Sequence, residues 1–135
     1  MIYIIAIILA SLAWFFISSI LFFNPIVQKI YNKDNRHPSV KVLSVSIGTV
    51  LKIWIAILIQ CTLWALVYYC INSALPDSTF REGLIFGGII IFIKVIPRDI
   101  DRLLLSNYPK QRMTIEFLVG IICAFVVGFV FAFYL

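Results

Sequence analysis

Ionisable residues that interrupt apolar sequence are concentrated around Pro97. The set is Lys94, Arg98, Asp99, Asp101 and Arg102, followed by Arg112 and Glu116 at the start of the next apolar stretch. On a helix, Lys94, Arg98 and Arg102 would form an i, i+4 stripe. Ionisable residues at membrane depth are commonly functional. The set is therefore a candidate site for an anionic substrate or a lipid headgroup. The alternative is a group of interfacial ion pairs that ends a membrane span.

The spacing also predicts which charges pair. Asp99 can reach Arg102, and Arg98 can reach Asp101, if the stretch is helical. Arg112 and Glu116 have the i, i+4 spacing and can join the group from the following helix. A glutamate just inside an apolar span is costly unless it is paired, so the Arg112–Glu116 pair is the contact we expect most.

The other polar residues do not form a catalytic set. His37 is the only histidine, and a solvated histidine in a polar turn explains it better than a general base does. Cys61, Cys70 and Cys123 have neither metal-ligand spacing nor a C-x-x-C motif. We therefore expect no catalytic residue, no metal site and no cofactor, and an enzyme is the least favoured class.

Four apolar runs supply the elements that would hold these residues. They are Ile2–Phe23, Val45–Ile71, Gly83–Ile96 and Thr114–Leu135. Hydrophobic residues make up 63% of the 135-residue chain and charged residues 13%, whereas a soluble domain is roughly half apolar and about a quarter charged. The composition excludes a soluble protein. It predicts an all-α integral membrane protein with a single domain over residues 1–135.

The third run is short for a membrane span, and by length it also fits a re-entrant or interfacial segment. Two observations favour a span. Thr79 and Glu82 have the spacing of a capping box, which would start a helix near Phe80. Leucines beyond Pro97 continue an apolar face, so we predict a helix from Phe80 to about Leu105 that is kinked at Pro97.

The distribution of basic residues predicts the orientation. Lys29, Lys33, Arg36 and Lys41 lie between the first two runs, and Arg98, Arg102, Lys110 and Arg112 lie between the last two. The segment 72–82 contains only Arg81, beside Asp77 and Glu82. Because basic loops stay cytoplasmic, we expect four spans with both termini outside. The prior for so short a chain is a bacterial or archaeal plasma membrane. The net charge of +5 then indicates anionic headgroups as partners, and no nucleic acid.

Aromatic and capping residues refine this layout. All six tyrosines fall at or just beyond a predicted span end, where an amphipathic ring is most stable: Tyr3, Tyr31, Tyr68, Tyr69, Tyr108 and Tyr134. Asn24 can cap a short helix that begins at Pro25. Its apolar face would lie along the inner leaflet, so we predict a short interfacial helix after the first span.

Small residues recur at four-residue intervals on two of the predicted helices. They are Gly83 and Gly87 on the third, and Gly120, Ala124, Gly128 and Ala132 on the last. Such faces allow helices to approach closely. Closure of the bundle onto itself is the favoured use, and the alternative is contact with a second copy or a partner protein.

One passage resembles a known group of proteins. Trp14-Phe15-Phe16, then Phe22-Phe23-Asn24-Pro25 and Gln28-Lys29, resembles the end of the first span in small four-span bacterial membrane proteins of unknown function. The layout is similar over the whole chain, but this passage alone is similar in detail. Asn24 stands where that group has an aromatic residue. The resemblance implies a fold and no activity.

Two functions follow from these patterns. The first is a non-catalytic accessory or assembly protein that acts through its helix faces. The second is a small oligomeric transporter or channel for an anionic or lipid-like solute, with a basic cytoplasmic vestibule at Lys94–Arg102. Because a four-helix monomer encloses little space, transport would need an oligomer.

Overall fold

The computed structural model describes residues 1–38, 40 and 46–135. Every regular element in these residues is helical, which confirms the predicted class. The elements are α1 (Ile2–Phe22), α2 (Pro25–Asp34), α3 (Ile47–Ile71), a 3-10 turn (Asn72–Ala74), α4 (Thr79–Ile90), a π-helical segment (Ile91–Val95), α5 (Ile96–Leu105) and α6 (Lys110–Tyr134). Lys41 of the predicted basic loop and Val45 of the second run lie outside the described residues.

Three of the described helices are long and apolar enough to cross a membrane. They span Ile2–Phe22, Ile47–Ala74 and Lys110–Tyr134 and contain 21, 28 and 25 residues. At about 1.5 Å per residue, each exceeds a hydrocarbon core of roughly 30 Å. The chain is therefore a membrane protein by the length and composition of these helices. Pro109 is the N-cap residue of α6.

The third predicted span forms three consecutive helical segments of 12, 5 and 10 residues, from Thr79 to Leu105. No single helix within it reaches the length of a span. The irregularity lies before Pro97, in the π-helical segment, where the Ile96 N–H bonds to the Ile91 carbonyl. A proline ring collides with the carbonyl of the preceding turn and leaves it without an N–H donor, and a π-helical turn is one way to accommodate this.

The predicted capping box at the start of α4 does not form. Ser78 occupies the N-cap without a side-chain hydrogen bond, and its carbonyl accepts the Glu82 N–H at 2.8 Å. The Glu82 carboxylate instead accepts a hydrogen bond from the Tyr68 hydroxyl of α3. The contact with α3 therefore uses the Glu82 side chain that the capping box would need.

Contacts at the two ends of the molecule show how the helices run. At one end, the Tyr3 and Tyr69 rings lie 6.0 Å apart, which places the start of α1 beside the end of α3. At the same end, Phe80 of α4 and Phe129 of α6 lie 5.7 Å apart. At the other end, Arg102 of α5 forms an ion pair with Glu116 near the start of α6. The segment 79–105 is therefore antiparallel to α6.

Helix α6 is the central element and contacts α1, α2, α3, α4 and α5. A buried aromatic group of Tyr68, Phe86 and Phe131 joins α3, α4 and α6, with Tyr68 and Phe86 perpendicular at 5.0 Å. Helix α3 packs mainly on α1 and only slightly on α6. Much of its apolar surface is therefore left outside the core.

The small residues lie where helices approach most closely. A Cβ atom on Gly128 would lie 2.5 Å from the Gly83 carbonyl oxygen and 2.8 Å from the Gly87 nitrogen. A Cβ atom on Gly87 would lie 3.0 Å from the Cα atom of Phe125. Ala124 and Ala132 are also buried. Most of the two small-residue faces is thus occupied by the contact between α4 and α6.

The short helix α2 begins as predicted. The Asn24 side chain accepts the Ile26 N–H at 3.0 Å, and Pro25 occupies the first turn. The Gln28 side chain donates to the Phe22 carbonyl at 2.8 Å, which fixes the turn between α1 and α2. No residue of α2 is fully buried, so the helix lies on the surface of the molecule, near the first residues of α6.

Candidate functional site

Glu116 of α6 is the centre of the densest polar cluster. Its carboxylate accepts hydrogen bonds from the Tyr108 hydroxyl at 2.6 Å and the Tyr31 hydroxyl at 3.2 Å. It forms an ion pair with Arg102, and Arg112 Nε lies 3.9 Å away. We call Tyr31, Arg102, Tyr108, Arg112 and Glu116 the Glu116 cluster. It joins α2, α5, α6 and the connection between the last two.

Two rings of the cluster also stack on its cations. The Arg112 guanidinium carbon lies 3.9 Å from the centre of the Tyr31 ring, and that of Arg102 lies 4.6 Å from the Tyr108 ring. Cation–π contacts of this kind add to an ion pair when the groups are sheltered from water. The side chains of Arg112 and Glu116 are only 12% and 17% exposed. The cluster therefore fastens α2 to α6.

The tyrosines of the cluster are held in their neutral form. Burial, followed by the negative charge of Glu116, raises the pKa of Tyr31 well above its ordinary value. Burial and the hydrogen bond to Glu116 raise the pKa of Tyr108 to about 12. Since only the neutral phenol can donate a hydrogen bond to the carboxylate, both donors persist through the physiological range.

Arg98 and Asp99 form a second pair next to the cluster. Two nitrogens of Arg98 lie 3.1 and 3.2 Å from the Asp99 carboxylate oxygens, and Arg98 also donates to the Glu116 carbonyl at 3.3 Å. Gly120 makes room for this arrangement, because a Cβ atom there would lie 3.5 Å from Arg98 and 3.3 Å from Val95. The predicted helix-packing residue Gly120 thus faces the charged group.

The charges are brought together differently from the predicted pairing. Arg98 pairs with the adjacent Asp99 instead of Asp101, and Arg102 pairs with Glu116 instead of Asp99. Asp101 is exposed and forms no ion pair with a described residue. Arg102 is left to Glu116 of α6, because two nitrogens of Arg98 already occupy the carboxylate of the buried Asp99.

Lys94 does not join the other basic residues. It donates a hydrogen bond to the Gln60 side chain of α3, and its ammonium lies 3.6 Å from the centre of the Trp14 ring of α1. The reason is the π-helical segment, which contains Lys94 and shifts the register of the side chains that follow it. The predicted i, i+4 stripe is therefore divided. Arg98 and Arg102 face α6, and Lys94 faces α1 and α3.

Four contributors to these sites were not predicted in that role: Trp14, Gln60, Tyr31 and Tyr108. The tyrosines were predicted as anchors at the membrane surface, and nothing local links either of them to Glu116. Gln60 did carry a signal, since it is the only amide side chain in the second apolar run and Lys52 is the only charged one. A polar side chain at that depth implies a polar partner, although its identity depends on tertiary structure.

The cluster has one feature that suits an anion. Arg112 Nε and Nη1 are buried and have no hydrogen-bond partner among the described residues. The described residues contain no group of three or more side chains that could hold a metal ion.

Comparison of the chain with known protein families, with curated proteins and with solved structures finds no match.

Proposed function

We propose that the chain crosses the membrane four times, with the segment 79–105 as the third span. Its start lies beside the end of α6, and its end lies beside the start of α6 through Arg102 and Glu116. A segment that follows a membrane-spanning neighbour from end to end covers the same height. Segments of 12, 5 and 10 helical residues amount to roughly 40 Å, which is sufficient.

We infer an orientation with both termini outside. The Glu116 cluster and the basic residues around α2 and α5 would then face the cytoplasm and the anionic headgroups of a bacterial or archaeal plasma membrane. Single cysteines at Asn35, Ser78 and Gln111, in a variant without the native cysteines, test this. Impermeant reagents are expected to label Ser78→Cys from outside and the other two only from the cytoplasm. Labelling of Ser78→Cys from the cytoplasm would refute it.

Within this topology, we propose that the protein is a non-catalytic accessory or assembly protein that acts through its helix faces. The observation that carries this proposal is that Arg98, Arg102 and their carboxylates Asp99 and Glu116 are paired with one another. Glu116 receives two cations and two hydroxyl groups of the same chain. Asp99 holds Arg98. Groups committed to internal pairing stabilise a scaffold and are poorly placed to carry a solute.

The surface of the bundle supports the same conclusion. In the most apolar stretch of α3, 17% of residues are buried within the chain, compared with 39% in α6. Helix α3 therefore presents most of its circumference outward. Lipid covers such a surface by default, and it is also the surface that a partner helix would use.

A transporter or channel for an anionic or lipid-like solute is the second candidate, and one observation favours it. A cavity of about 290 Å³ lies beside Arg102 and is bordered by Ser106, Asn107, Tyr108 and Lys110. Arg102 and Lys110 in its lining would suit a phosphate or carboxylate near the membrane surface. The double variant Arg98→Ala with Arg102→Ala tests this. Loss of solute flux with normal folding would support transport, and loss of expression alone would support structural ion pairs.

Native mass spectrometry of the protein, released gently from its own membrane, separates the two functions. A complex with a different chain is the result expected for an accessory protein. A homodimer or homotrimer with a bound anion or lipid would favour the transporter and contradict the first proposal.

A further inference from the structure

Lys94 is a cation in the middle of the bundle that forms no ion pair with a described residue. Among the described residues, its polar contacts are the neutral Gln60 amide and the face of the Trp14 ring. Of the carboxylates nearest in sequence, Asp99 is held by Arg98 and Asp101 is exposed. An ammonium within a membrane normally pairs with an anion or reaches the surface.

The position of Lys94 prevents its ammonium group from reaching the membrane surface. It lies within the π-helical segment between α4 and α5, and Gln60 lies near the middle of α3, far from either end. The side chain is directed toward α1 and α3 by its contacts with Trp14 and Gln60. Lys94 is therefore fixed at about the depth of the bilayer centre in the four-span arrangement.

A groove beside Lys94 gives access from the lipid. It has a volume of about 430 Å³ and lies between α3 and the π-helical segment, where these two elements do not pack closely. Its lining consists of Gln60, Leu63, Trp64, Val67, Ile93 and Lys94. Leu63 and Ile93 are 57% and 60% exposed, so the groove opens sideways. The α3 residues have the i, i+3, i+4, i+7 spacing of a helix face.

We propose that this groove, which we call the Lys94 groove, binds a transmembrane helix of a different protein that carries an aspartate or glutamate at mid-height. The proposal rests on the accessory function above and names the class of partner. The carboxylate would supply the charge that Lys94 lacks, and apolar side chains of the partner helix would cover Leu63, Val67 and Ile93.

Charge and depth argue against the other occupants. A second copy of this chain offers no suitable carboxylate near mid-height. Asp99 and Glu116 are held by arginines, and Glu82 near the start of α4 is held by Tyr68. Asp101 lies near the end of the segment 79–105, and Asp34 and Asp77 lie outside the proposed spans. A fatty acid would have to bring its headgroup to the bilayer centre, where an ionisable group is costly. A helix carries its carboxylate to that depth by its own length.

A designed peptide tests the recognition directly. The probe is a polyleucine transmembrane helix with one central glutamate, labelled for energy transfer with the full-length protein in phosphatidylcholine vesicles. We expect it to bind at least tenfold more tightly than the same peptide with glutamine. Lys94→Met should abolish this preference and Lys94→Arg should retain it. Lys52→Met, which changes an exposed lysine of the same bundle, should leave it intact.

Several results would overturn the proposal. One is equal binding of the glutamate and glutamine peptides. Another is binding of a labelled fatty acid, in place of the peptide, that depends on Lys94. Cross-linking of Leu63→Cys to a cysteine near the peptide glutamate should succeed if the groove is the binding site, and its failure would also contradict the assignment. Circular dichroism of Lys94→Met guards against misfolding, and if that variant does not fold, Lys94→Gln replaces it.

Native mass spectrometry then separates this inference from the function on which it rests. If the wild-type protein is extracted in complex with a different chain and the Lys94→Met variant is extracted without it, both the accessory function and the Lys94 groove are supported. If both proteins retain the partner, the accessory function stands and the Lys94 groove is wrong. If the wild type carries no other chain, the accessory function itself fails.

Discussion

Replacing Gly128 with alanine is expected to destabilise the bundle, whereas the same change at Gly88 is not. A Cβ atom on Gly128 would lie 2.5 Å from the Gly83 carbonyl oxygen and 2.8 Å from the Gly87 nitrogen. Both atoms belong to the backbone of α4, which no rotamer change can move aside. A Cβ atom on Gly88 meets no atom within 4 Å, so Gly88→Ala is a matched control on the facing helix.

The magnitude follows from the missing space. Ordinary van der Waals contact begins at 3.4 Å, so α4 and α6 must separate by about 0.9 Å at Gly128→Ala. A gap of this size forfeits roughly a quarter to a half of the dispersion energy of the facing atoms. Overpacking of a tight interior costs roughly 1–3 kcal/mol. Alanine also gains about 0.5–1 kcal/mol over glycine within a helix, and this gain is common to both positions.

The difference between the two variants therefore isolates the steric cost. We expect Gly128→Ala to have a free energy of unfolding about 1–3 kcal/mol below that of Gly88→Ala. Gly83→Ala should fall between them, because its Cβ atom would meet the ring of Phe129 at 2.5 Å, and a ring can rotate away. The measurement is reversible unfolding of each variant in mixed micelles with increasing dodecyl sulfate, followed by circular dichroism. Equal unfolding free energies for Gly128→Ala and Gly88→Ala would show that α4 and α6 do not approach through these glycines.

Two further predictions concern the Glu116 cluster. Glu116→Ala should lower the free energy of unfolding by about 1.5–3 kcal/mol, because Arg102 and Arg112 lose their charged acceptor. Asp101→Ala, at an exposed site, should change it by less than about 0.5 kcal/mol. Equal losses in the two variants would contradict a structural role for Glu116. The raised pKa of Tyr108 stabilises the folded state fully below pH 10, and this contribution is lost as the pH rises through about 12. An alkaline unfolding series should show this loss in the wild type and not in Tyr108→Phe, and an unchanged profile in Tyr108→Phe would contradict the hydrogen bond to Glu116.

The elements of the fold that could be predicted are those encoded locally. Asn24 and Pro25 mark the start of α2 through preferences that act within one turn, and the helix begins there. The proximity of Arg112 and Glu116 depends on i, i+4 spacing, which a regular helix guarantees. The long apolar runs of α1, α3 and α6 need no tertiary information to be identified.

The parts that could not be predicted depend on distant residues or on a change of helix type. Nothing in the spacing locates a π-helical segment at Ile91–Val95, yet it separates Lys94 from Arg98 and Arg102. The partners of Glu116 include Tyr31, which is 85 positions away in the chain. Thr79 and Glu82 have the spacing of a capping box, but the Glu82 carboxylate accepts a hydrogen bond from Tyr68 of another helix instead. Local rules describe what a side chain can reach within its own helix, and tertiary contacts decide which of its options is used.

The close pairing of the segment 79–105 with α6 bears on how the chain would enter a membrane. Taken alone, the segment is a poor candidate for insertion, since it carries Lys94, Arg98, Asp99, Asp101 and Arg102 and charged residues oppose partition into lipid. The connection to α6 is short, with α5 ending at Leu105 and α6 beginning at Lys110. Interlocking glycines at one end and the Arg102–Glu116 pair at the other make the two elements a helical hairpin. If the two elements insert together, the strongly apolar α6 would compensate for the less apolar segment 79–105. Arg102 would then already be paired with Glu116. In biosynthetic terms, the segment 79–105 would be unable to insert until α6 has been synthesised.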